Sequence, residues 1–195
     1  LWHDIDDSVL AVMEIAVDRL ASAGAKIERI NIQEIEAVTS VFLSCGDLFS
    51  ATAYAELRDK VEAQPNLVYD QIMKRLQLSA GISAVDGIKA WLDIERLAQR
   101  YYGKVAPYTA VLCPTAPTTP PAIADIELDA EAYSRAQRRV PANTRVGNLL
   151  RLCAVTIPAG FTNGLPVGLM VYGMPNQDRY ILRVAKGIEQ VMCNT

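Results

Sequence analysis

The sequence predicts an α/β fold in which amphipathic helices pack against buried strands. The first observation is a helical pattern that ends at Gly24 and is followed by an alternating apolar segment over residues 25–32, which is half of an α/β repeat. The second is a pair of apolar runs that flank Asn163 and Gly164, residues that supply the positive φ angles of a tight reversal. Together these patterns predict strands in the core with helices around them.

Composition limits the classes of protein to which the chain can belong. Its 195 residues are 51% hydrophobic, which fits one domain, or part of a larger one, with a real core. The 22 acidic and 19 basic side chains give a net charge of −3, which argues against a general nucleic-acid binder. No apolar run reaches the roughly 18–20 residues that span a bilayer, and the acidic start is unlike a signal peptide. We therefore expect a cytoplasmic protein with no nucleic-acid or membrane partner.

The four cysteines predict reduced thiols rather than a metal site. Cys45, Cys113, Cys153 and Cys193 lie far apart in the sequence. Because there is one His and no C-x-x-C spacing, a zinc site is not expected, and buried thiols fit a cytosolic protein. A catalytic Ser-His-Asp or Cys-His arrangement would have to use His3 at the end of the chain, so neither is expected.

The first helix is predicted over residues 8–23, where apolar side chains recur at helical spacing. Asp6 or Asp7 is expected to cap it, since a carboxylate suits the positive end of a helix. A metal site built from Asp4, Asp6 and Asp7 is the alternative, and capping is favoured because it needs only one of the three. The strand over residues 25–32 requires a bulge, because its alternation slips by one place.

The middle of the chain is predicted to be mainly helical. Residues 35–62 are predicted to form one long helical region with an apolar stripe, which ends at the helix-breaking sequence Gln64-Pro65-Asn66. Residues 67–102 form a second helical block with a break near residues 79–81. The serines of the first block have no base beside them, so we interpret them as surface or packing residues rather than nucleophiles.

A short buried strand is predicted at residues 110–112, followed by an extended loop whose prolines can continue neither a ladder nor a helix. A charged helix is predicted over residues 129–139, where Arg135, Arg138 and Arg139 share one face. This face could form a phosphate or nucleic-acid site, but the acidic net charge favours a solvated surface near Glu and Asp side chains.

The C-terminal region is predicted to contain a helix, a β-hairpin and a final helix. Both hairpin strands are apolar on both faces, which predicts antiparallel pairing in the buried interior of a sheet. The predicted elements are a helix over residues 144–152 capped by Asn143 or Thr144, strands over residues 154–157 and 167–172, and a helix over residues 178–192 capped by Asp178.

A motif in this region carries a family resemblance. Asn148 is followed by AVTIPAG at residues 154–160 and by GLPVGL at residues 164–169. This arrangement resembles the pattern N-x-x-G-x-P-A-x-S-x-P-x-G, then G-L-P-x-G-L, of the amidase signature family. The sequence departs from that pattern where Arg151 replaces the usual Gly, Cys153 the usual Pro and Thr156 the usual Ser, the last of which keeps a hydroxyl.

The resemblance implies a fold, a reaction and a set of site residues. Amidase signature enzymes hydrolyse amides with a Ser–cis-Ser–Lys triad, in an α/β/α layered fold around a mixed β-sheet, and no metal or organic cofactor is implied. Their D-x-x-L-x-P-T-x-x-x-x-P segment resembles the sequence around Pro114-Thr115. By this resemblance we expect Arg96, Thr115 and Asn148 to bind substrate around one concavity. The alternatives are a solvated Arg96 paired with Asp93, and a rigid connector at Thr115.

The resemblance further implies that residues 1–195 are the C-terminal portion of a single amidase-signature domain. The chain begins at Leu1 without an initiator Met, and the Gly/Ser-rich segment and Lys that supply the triad are not in it. We expect the whole protein to be an amidohydrolase that converts a carboxylic amide to an acid and ammonia or an amine. This chain alone is expected to be inactive. The expected partners are a small-molecule amide substrate and the missing N-terminal half. A second copy of the protein, forming a homodimer, is a further expected partner.

Two alternatives to this enzyme remain open. One is a non-catalytic scaffold or subunit that keeps an amidase-like fold. The other is the amidase subunit of a tRNA-dependent amidotransferase. Such subunits usually carry an acidic residue seven places before the matched Asn148, where this chain has Pro141, and this difference counts against the second alternative.

Overall fold

The computed structural model describes residues 1–193, which divide into two compact units. The first unit comprises Leu1–Ile32 together with the chain from Arg100 onward, and the second comprises Gln33–Gln99. The α/β class is confirmed, although both strand pairings within the described residues are antiparallel.

Helices make up most of the described chain. In order they are α1 (Asp7–Ser22), α2 (Gln33–Cys45), α3 (Leu48–Ala63), α4 (Asp70–Ser79), α5 (Ala84–Val105), α6 (Ile123–Ile126), α7 (Ala130–Arg139), α8 (Ala142–Leu149) and α9 (Asp178–Cys193), with a 3-10 turn at Pro65–Leu67. The strands are β1 (Val111–Pro114), β2 (Cys153–Thr162) and β3 (Leu165–Gly173). Across residues 1–193, none of these helices combines the length and the apolar character needed to cross a membrane.

The first unit is built on a three-stranded sheet in the order β1-β3-β2. One face of this sheet is covered by α1 and α9. Met13 of α1 packs with Leu169 of β3, and Ile181 of α9 packs with Val171 of β3 and Ile157 of β2. All five side chains are 3% exposed or less, and burying each of them contributes on the order of 1.5–3 kcal/mol. This packed layer fixes the sheet that carries the candidate site on its other face.

The hairpin between β2 and β3 forms as predicted. Asn163 and Gly164 have φ angles of 49° and 76°, as a two-residue reversal requires. The strands pair antiparallel and β3 is central, but β2 is an edge strand among the described residues. The prediction that both strands are buried on both faces is therefore wrong for β2. Ala154, Thr156 and Pro158 are exposed, and Pro158, which lacks an N–H, suits an edge strand.

Residues 25–32 form no strand in the described chain, so the predicted α/β repeat at this position is wrong. The segment is mostly exposed, with Ile27 and Ile30 at 37% and 43% exposure. Its charged residues contact other parts of the chain instead. Arg29 forms an ion pair with Glu14 of α1, and its guanidinium carbon lies 5.8 Å from the ring centre of Trp2. The alternation of apolar and charged residues in this segment therefore accompanies side-chain contacts and does not correspond to a β-strand.

The second unit divides the predicted long helix into α2 and α3. Gly46 has a φ of +95°, which ends α2, and Asp47 caps α3 by accepting a 3.1 Å hydrogen bond from the Ser50 backbone N–H. Asp47 also forms an ion pair with Arg75 of α4. Ser50, which was predicted to lie within one continuous helix, lies in the first turn of a capped helix. The predicted break between α4 and α5 is confirmed.

The acidic residues before α1 bind an arginine from α7. Asp6 is the N-cap residue as predicted, but its carboxylate makes no capping hydrogen bond. It accepts hydrogen bonds from Thr118 Oγ1 at 2.6 Å and from Arg139 Nη2 at 2.8 Å. The hydrogen bond from Thr118, followed by that from Arg139, holds the pKa of Asp6 below its usual value. Arg139 also bonds Asp4 at 3.0 Å, so it is not the solvated side chain that was predicted.

Candidate functional site

Two threonine hydroxyls meet on the face of the sheet that α1 and α9 leave uncovered. Thr115 follows the last residue of β1, and its N–H donates a 2.8 Å hydrogen bond to the Gly168 carbonyl of β3. Thr156 lies in β2, which pairs with the other edge of β3. The Thr115 and Thr156 Oγ1 atoms are 3.2 Å apart and hydrogen bonded. Strand pairing thus joins two hydroxyls that are 41 residues apart in sequence.

Gly168 makes this meeting possible because it has no side chain. A Cβ atom at this position would lie 2.6 Å from Thr115 Oγ1 and 2.6 Å from Thr156 Cγ2. Both distances are far below the 3.5–4.0 Å of an ordinary contact between carbon atoms. The second Gly of the G-L-P-x-G-L pattern therefore has a steric role here, since it leaves the space that both threonines occupy.

Asn148 is exposed near the end of α8, where the chain turns sharply towards β2. Arg151 N–H donates to the Asn148 carbonyl at 3.2 Å, and Leu152 N–H donates to the Gly147 carbonyl at 2.9 Å. These two bonds define a Schellman motif whose C′ residue is Arg151, in the left-handed conformation with a φ of 53°. This geometry explains the Gly that is usual at that position of the motif.

Replacing Arg151 with Gly is expected to stabilise the chain by about 0.5–1 kcal/mol. A non-Gly residue at positive φ is strained, and Gly adopts this conformation without steric cost. Denaturant unfolding of the variant and of the parent chain would measure the gain, and Arg151→Lys, which keeps a Cβ, should leave stability unchanged. A loss of stability in Arg151→Gly would contradict this expectation. It would show that the Arg151 side chain stabilises the protein by more than its positive φ angle destabilises it.

Asn143 has a different role from the one predicted for it. It was one of the two residues, with Thr144, that were predicted to cap this helix, but Pro141 is the N-cap and Asn143 lies inside α8 at 5% exposure. Its Nδ2 donates to the carbonyls of Pro114 at 2.6 Å and Leu1 at 3.1 Å. Its own carbonyl accepts a 2.6 Å bond from the Tyr172 hydroxyl. Asn143 therefore holds the end of β1, and with it Thr115, against α8.

A signal for the buried Asn143 is present in the sequence. Asn143, Val146 and Leu150 stand at i, i+3 and i+7, so a helix places all three on one face. Because the other two are apolar and buried, an Asn between them has to find hydrogen-bond partners inside the protein. That spacing argues for a structural anchor and against a cap.

Arg96 lies on α5 in the second unit and is exposed. Its Nη1 donates a 2.7 Å hydrogen bond to Asp93 Oδ1, while Lys89 Nζ binds the other oxygen at 2.8 Å. The hydrogen bond from Lys89, assisted by the charge of Arg96, holds the pKa of Asp93 below its usual value. The observed pairing with Asp93 is the alternative that was predicted for Arg96. Its substrate contact, and the convergence of Arg96, Thr115 and Asn148, stay predictions.

The Cys113 thiol and the hydroxyls of Ser44, Ser79 and Ser83 are not arranged as activated nucleophiles. Burial raises the pKa of the Cys113 thiol to about 12, so it stays protonated and inert. Cys193, in contrast to the predicted burial of the thiols, is exposed. Within residues 1–193, the Ser44 and Ser79 hydroxyls donate to backbone carbonyls, and the Ser83 hydroxyl donates to Asp86. These acceptors do not provide the Lys base that the triad requires.

Comparison with protein families finds a match to the family model described as Amidase over residues 1–182. The chain is 33% identical over 200 residues to a 2-amino-5-chloromuconic acid deaminase of Comamonas testosteroni, covering 98% of this chain and 41% of that protein. It is 26% identical over 208 residues to a glutamyl-tRNA(Gln) amidotransferase subunit of Thermotoga maritima, covering 96% and 43%. The chain thus spans about two fifths of the length of these curated relatives.

Solved structures give the same picture of the fold. The Kluyveromyces lactis allophanate hydrolase matches 98% of this chain with 31% of its own, at a TM-score of 0.83 and 22% identity. The glutamyl-tRNA(Gln) amidotransferase structure from Thermotoga maritima matches 96% of this chain with 40% of its own, at a TM-score of 0.68 and 27% identity. The units described above therefore follow a known architecture.

Proposed function

The chain belongs to the amidase signature family, and from this premise we propose that it forms one wall of the substrate pocket of an amidohydrolase. The reaction is hydrolysis of a carboxylic amide to an acid and ammonia or amine. The observation that carries the proposal is the pair of hydroxyls on Thr115 and Thr156, 3.2 Å apart on the sheet face opposite α1 and α9. An amide offers a carbonyl acceptor and N–H donors, and a hydroxyl can serve either.

The exposure of these groups supports a binding role. Thr156 is exposed and Thr115 is partly exposed, whereas Ile157, Leu169 and Val171 on the opposite face of the sheet are buried. Asn148 adds an exposed amide side chain at the end of α8. Polar side chains held on rigid strands and helices can orient a substrate precisely enough for reaction. We propose Thr115, Asn148 and, from the second unit, Arg96 as the substrate-binding residues.

Substrate and partners are extensions of the proposal. The relative with 33% identity is named for deamination of 2-amino-5-chloromuconic acid, so amino-muconates belong in the assay beside simple aliphatic and aromatic amides. An amidotransferase subunit is the second candidate, favoured by the similarity to the Thermotoga maritima protein. Pro141, which stands where those subunits usually carry an acidic residue, disfavours it. A complementary N-terminal half, self-association as a homodimer and a cytoplasmic location complete the proposal.

The proposal is tested by amide hydrolysis in the full product of the gene that encodes this chain. Thr115→Val removes the hydroxyl and keeps the shape, so we expect kcat/KM to fall by about 3–10-fold, the worth of one hydrogen bond, with an unchanged Tm. Thr156→Ser keeps a hydroxyl and should retain activity. Thr52→Val is the matched control, because the Thr52 hydroxyl only binds the Leu48 carbonyl of its own helix.

The 195-residue chain by itself is expected to hydrolyse no amide. Hydrolysis requires an activated nucleophile and donors directed at the developing oxyanion, and losing one such donor typically costs about 100–1000-fold in rate. Turnover by this chain alone, abolished by a single Ser→Ala change, would overturn the proposal. So would full activity of Thr115→Val and Thr156→Val in the full gene product.

A further inference from the structure

A short segment after β1, residues 115–118, is fixed at both ends. At its start, the Thr115 N–H donates a 2.8 Å hydrogen bond to the Gly168 carbonyl of β3. At its other end, the Thr118 hydroxyl donates a 2.6 Å hydrogen bond to Asp6 Oδ2. The segment belongs to no helix or strand, so its conformation depends on contacts of this kind. Asp6, which precedes α1, is therefore one of the groups that hold Thr115 in place.

Asp6 binds this segment with its backbone as well as with its side chain. The Asp6 N–H donates a 2.9 Å hydrogen bond to the carbonyl of Pro117, a buried residue. Asp6 and Thr118 are 112 positions apart in the sequence. The conformation of residues 115–118 therefore depends on how firmly the chain before α1 is itself held.

Arg139 holds that chain through both of its acidic residues. Arg139 Nη2 donates to Asp6 Oδ1 at 2.8 Å, while Thr118 occupies the other oxygen of the same carboxylate. Arg139 Nε donates to Asp4 Oδ2 and Nη2 donates to the Asp4 carbonyl, each at 3.0 Å. Because a guanidinium is planar and donates in fixed directions, these bonds set the position of Asp6 as well as neutralise its charge.

Arg139 is well placed for this role because its own position is fixed. It is the last residue of α7, and Arg145 Nη2 of α8 donates to the Gln137 and Arg138 carbonyls at 3.3 and 3.0 Å. The side chains of Arg139 and Asp6 are 35% and 33% exposed, so their ion pair is screened by solvent less than a fully exposed pair is. A chain of contacts thus runs from α7 through Asp6 to Thr118.

We propose that Arg139 is a positioning residue for the amide substrate, which acts through Asp6 and Thr118 to fix the segment that carries Thr115. The inference rests on the proposed function, because it assigns Arg139 to the same site. Arg139 does not contact the substrate in this role. Without its guanidinium, Asp6 and Thr118 are held less firmly, and the Thr115 hydroxyl loses the fixed orientation that productive binding requires.

A double-mutant cycle on kcat/KM in the full gene product tests this role. Arg139→Ala should lower kcat/KM by about 3-fold, the lower end of the range expected for Thr115→Val. In the Thr115→Val background, Arg139→Ala should have no further effect, because the hydroxyl that it positions is already gone. A variant that lowered activity only by destabilising the protein would reduce kcat/KM by the same factor in both backgrounds.

Amide hydrogen exchange in the full gene product gives a second readout that needs no substrate. The Thr115 N–H is bonded to the Gly168 carbonyl, and we expect it to exchange faster in Arg139→Ala because residues 115–118 open more often. Exchange at Val171, a buried residue of β3, should not change. Arg58→Ala is the matched control, since it breaks a 3.0 Å ion pair with Glu62 within α3 and should alter neither kcat/KM nor exchange at Thr115.

The outcomes separate this inference from the proposed function. A loss of kcat/KM in Thr115→Val but not in Arg139→Ala would overturn the inference and leave the proposed function intact, whereas an unaffected Thr115→Val would overturn both. An equal loss in both backgrounds, or unchanged exchange at Thr115, would also contradict the inference. If Arg139→Ala does not fold, Thr118→Val applies the same cycle and the same exchange measurement at the other end of the contacts.

Discussion

Replacing Asn143 with Asp is expected to destabilise the protein by about 3 kcal/mol or more at neutral pH. The Asn143 Nδ2 donates to two carbonyl oxygens at 2.6 and 3.1 Å in a buried position. A carboxylate at this position has no hydrogen to donate and would place a negative charge against both oxygens. The substitution changes shape very little, so the loss reports the missing donor and the buried charge.

The pH dependence of this variant has a defined sign. Burial and the facing carbonyls favour the protonated acid, so the pKa of the new Asp would be raised in the folded state above its unfolded value. The variant is then least destabilised below the unfolded pKa, and its deficit grows as pH rises towards neutrality. Denaturant unfolding at about pH 3, below the unfolded pKa of Asp, and at about pH 7 compares the two conditions.

Asn148→Asp is the matched control for this prediction. It makes the same chemical change one and a half turns along α8, but at an exposed side chain. Stability there should change by no more than about 0.5 kcal/mol at either pH. If Asn143→Asp proved equally mild, Asn143 would not be the anchor that joins α8 to the end of β1.

Features set by neighbouring residues were predicted from sequence. The Asn163-Gly164 reversal, the break between α4 and α5 and the amphipathic α9 all form as expected. In each case the signal is local: a residue pair that adopts positive φ, a Gly-containing break or an apolar stripe at helical spacing. Local chemistry specifies these elements whatever packs against them later.

Features set by distant partners were not predicted. The segment over residues 25–32 has a strand-like pattern, but Arg29 binds Glu14 and Trp2 instead of a neighbouring strand. Arg139 was interpreted as a solvated side chain, because nothing in its own helix indicates that Asp4 and Asp6 lie beside it. The Arg139 pairs join positions more than 130 residues apart, and no local pattern encodes them.

The candidate site was predictable in part. Thr115 and Asn148 were selected only through the family resemblance, since their local sequence predicts no more than a loop and a helix end. The contact between Thr115 and Thr156 depends on the register of two strand pairings, which sequence periodicity does not fix. Arg151 departs visibly from the family pattern. Its left-handed φ of 53° explains why Gly is usual at this position.

Replacing Gly168 with Ala is expected to destabilise the protein by about 2–3 kcal/mol, as overpacking of a filled site does. The added methyl would lie 2.6 Å from Thr115 Oγ1 and 2.6 Å from Thr156 Cγ2. Threonine is branched at Cβ and has few alternative rotamers on a strand. Relief by rotation would break the hydroxyl pair, and relief by strand movement would disturb the central strand β3. Activity of the full gene product should therefore fall together with stability.

A second substitution separates this steric cause from a general intolerance of strand β3. Thr156→Ser removes the Cγ2 methyl that the new Ala would strike, so Gly168→Ala combined with Thr156→Ser should recover about half of the lost stability in denaturant unfolding. Gly187→Ala in α9 is the control, because no atom lies within 4 Å of its Cβ position, and it should stabilise the helix by up to about 1 kcal/mol. If Thr156→Ser recovers nothing, the two threonines do not share the space above Gly168, and the hydroxyl pair loses its structural basis.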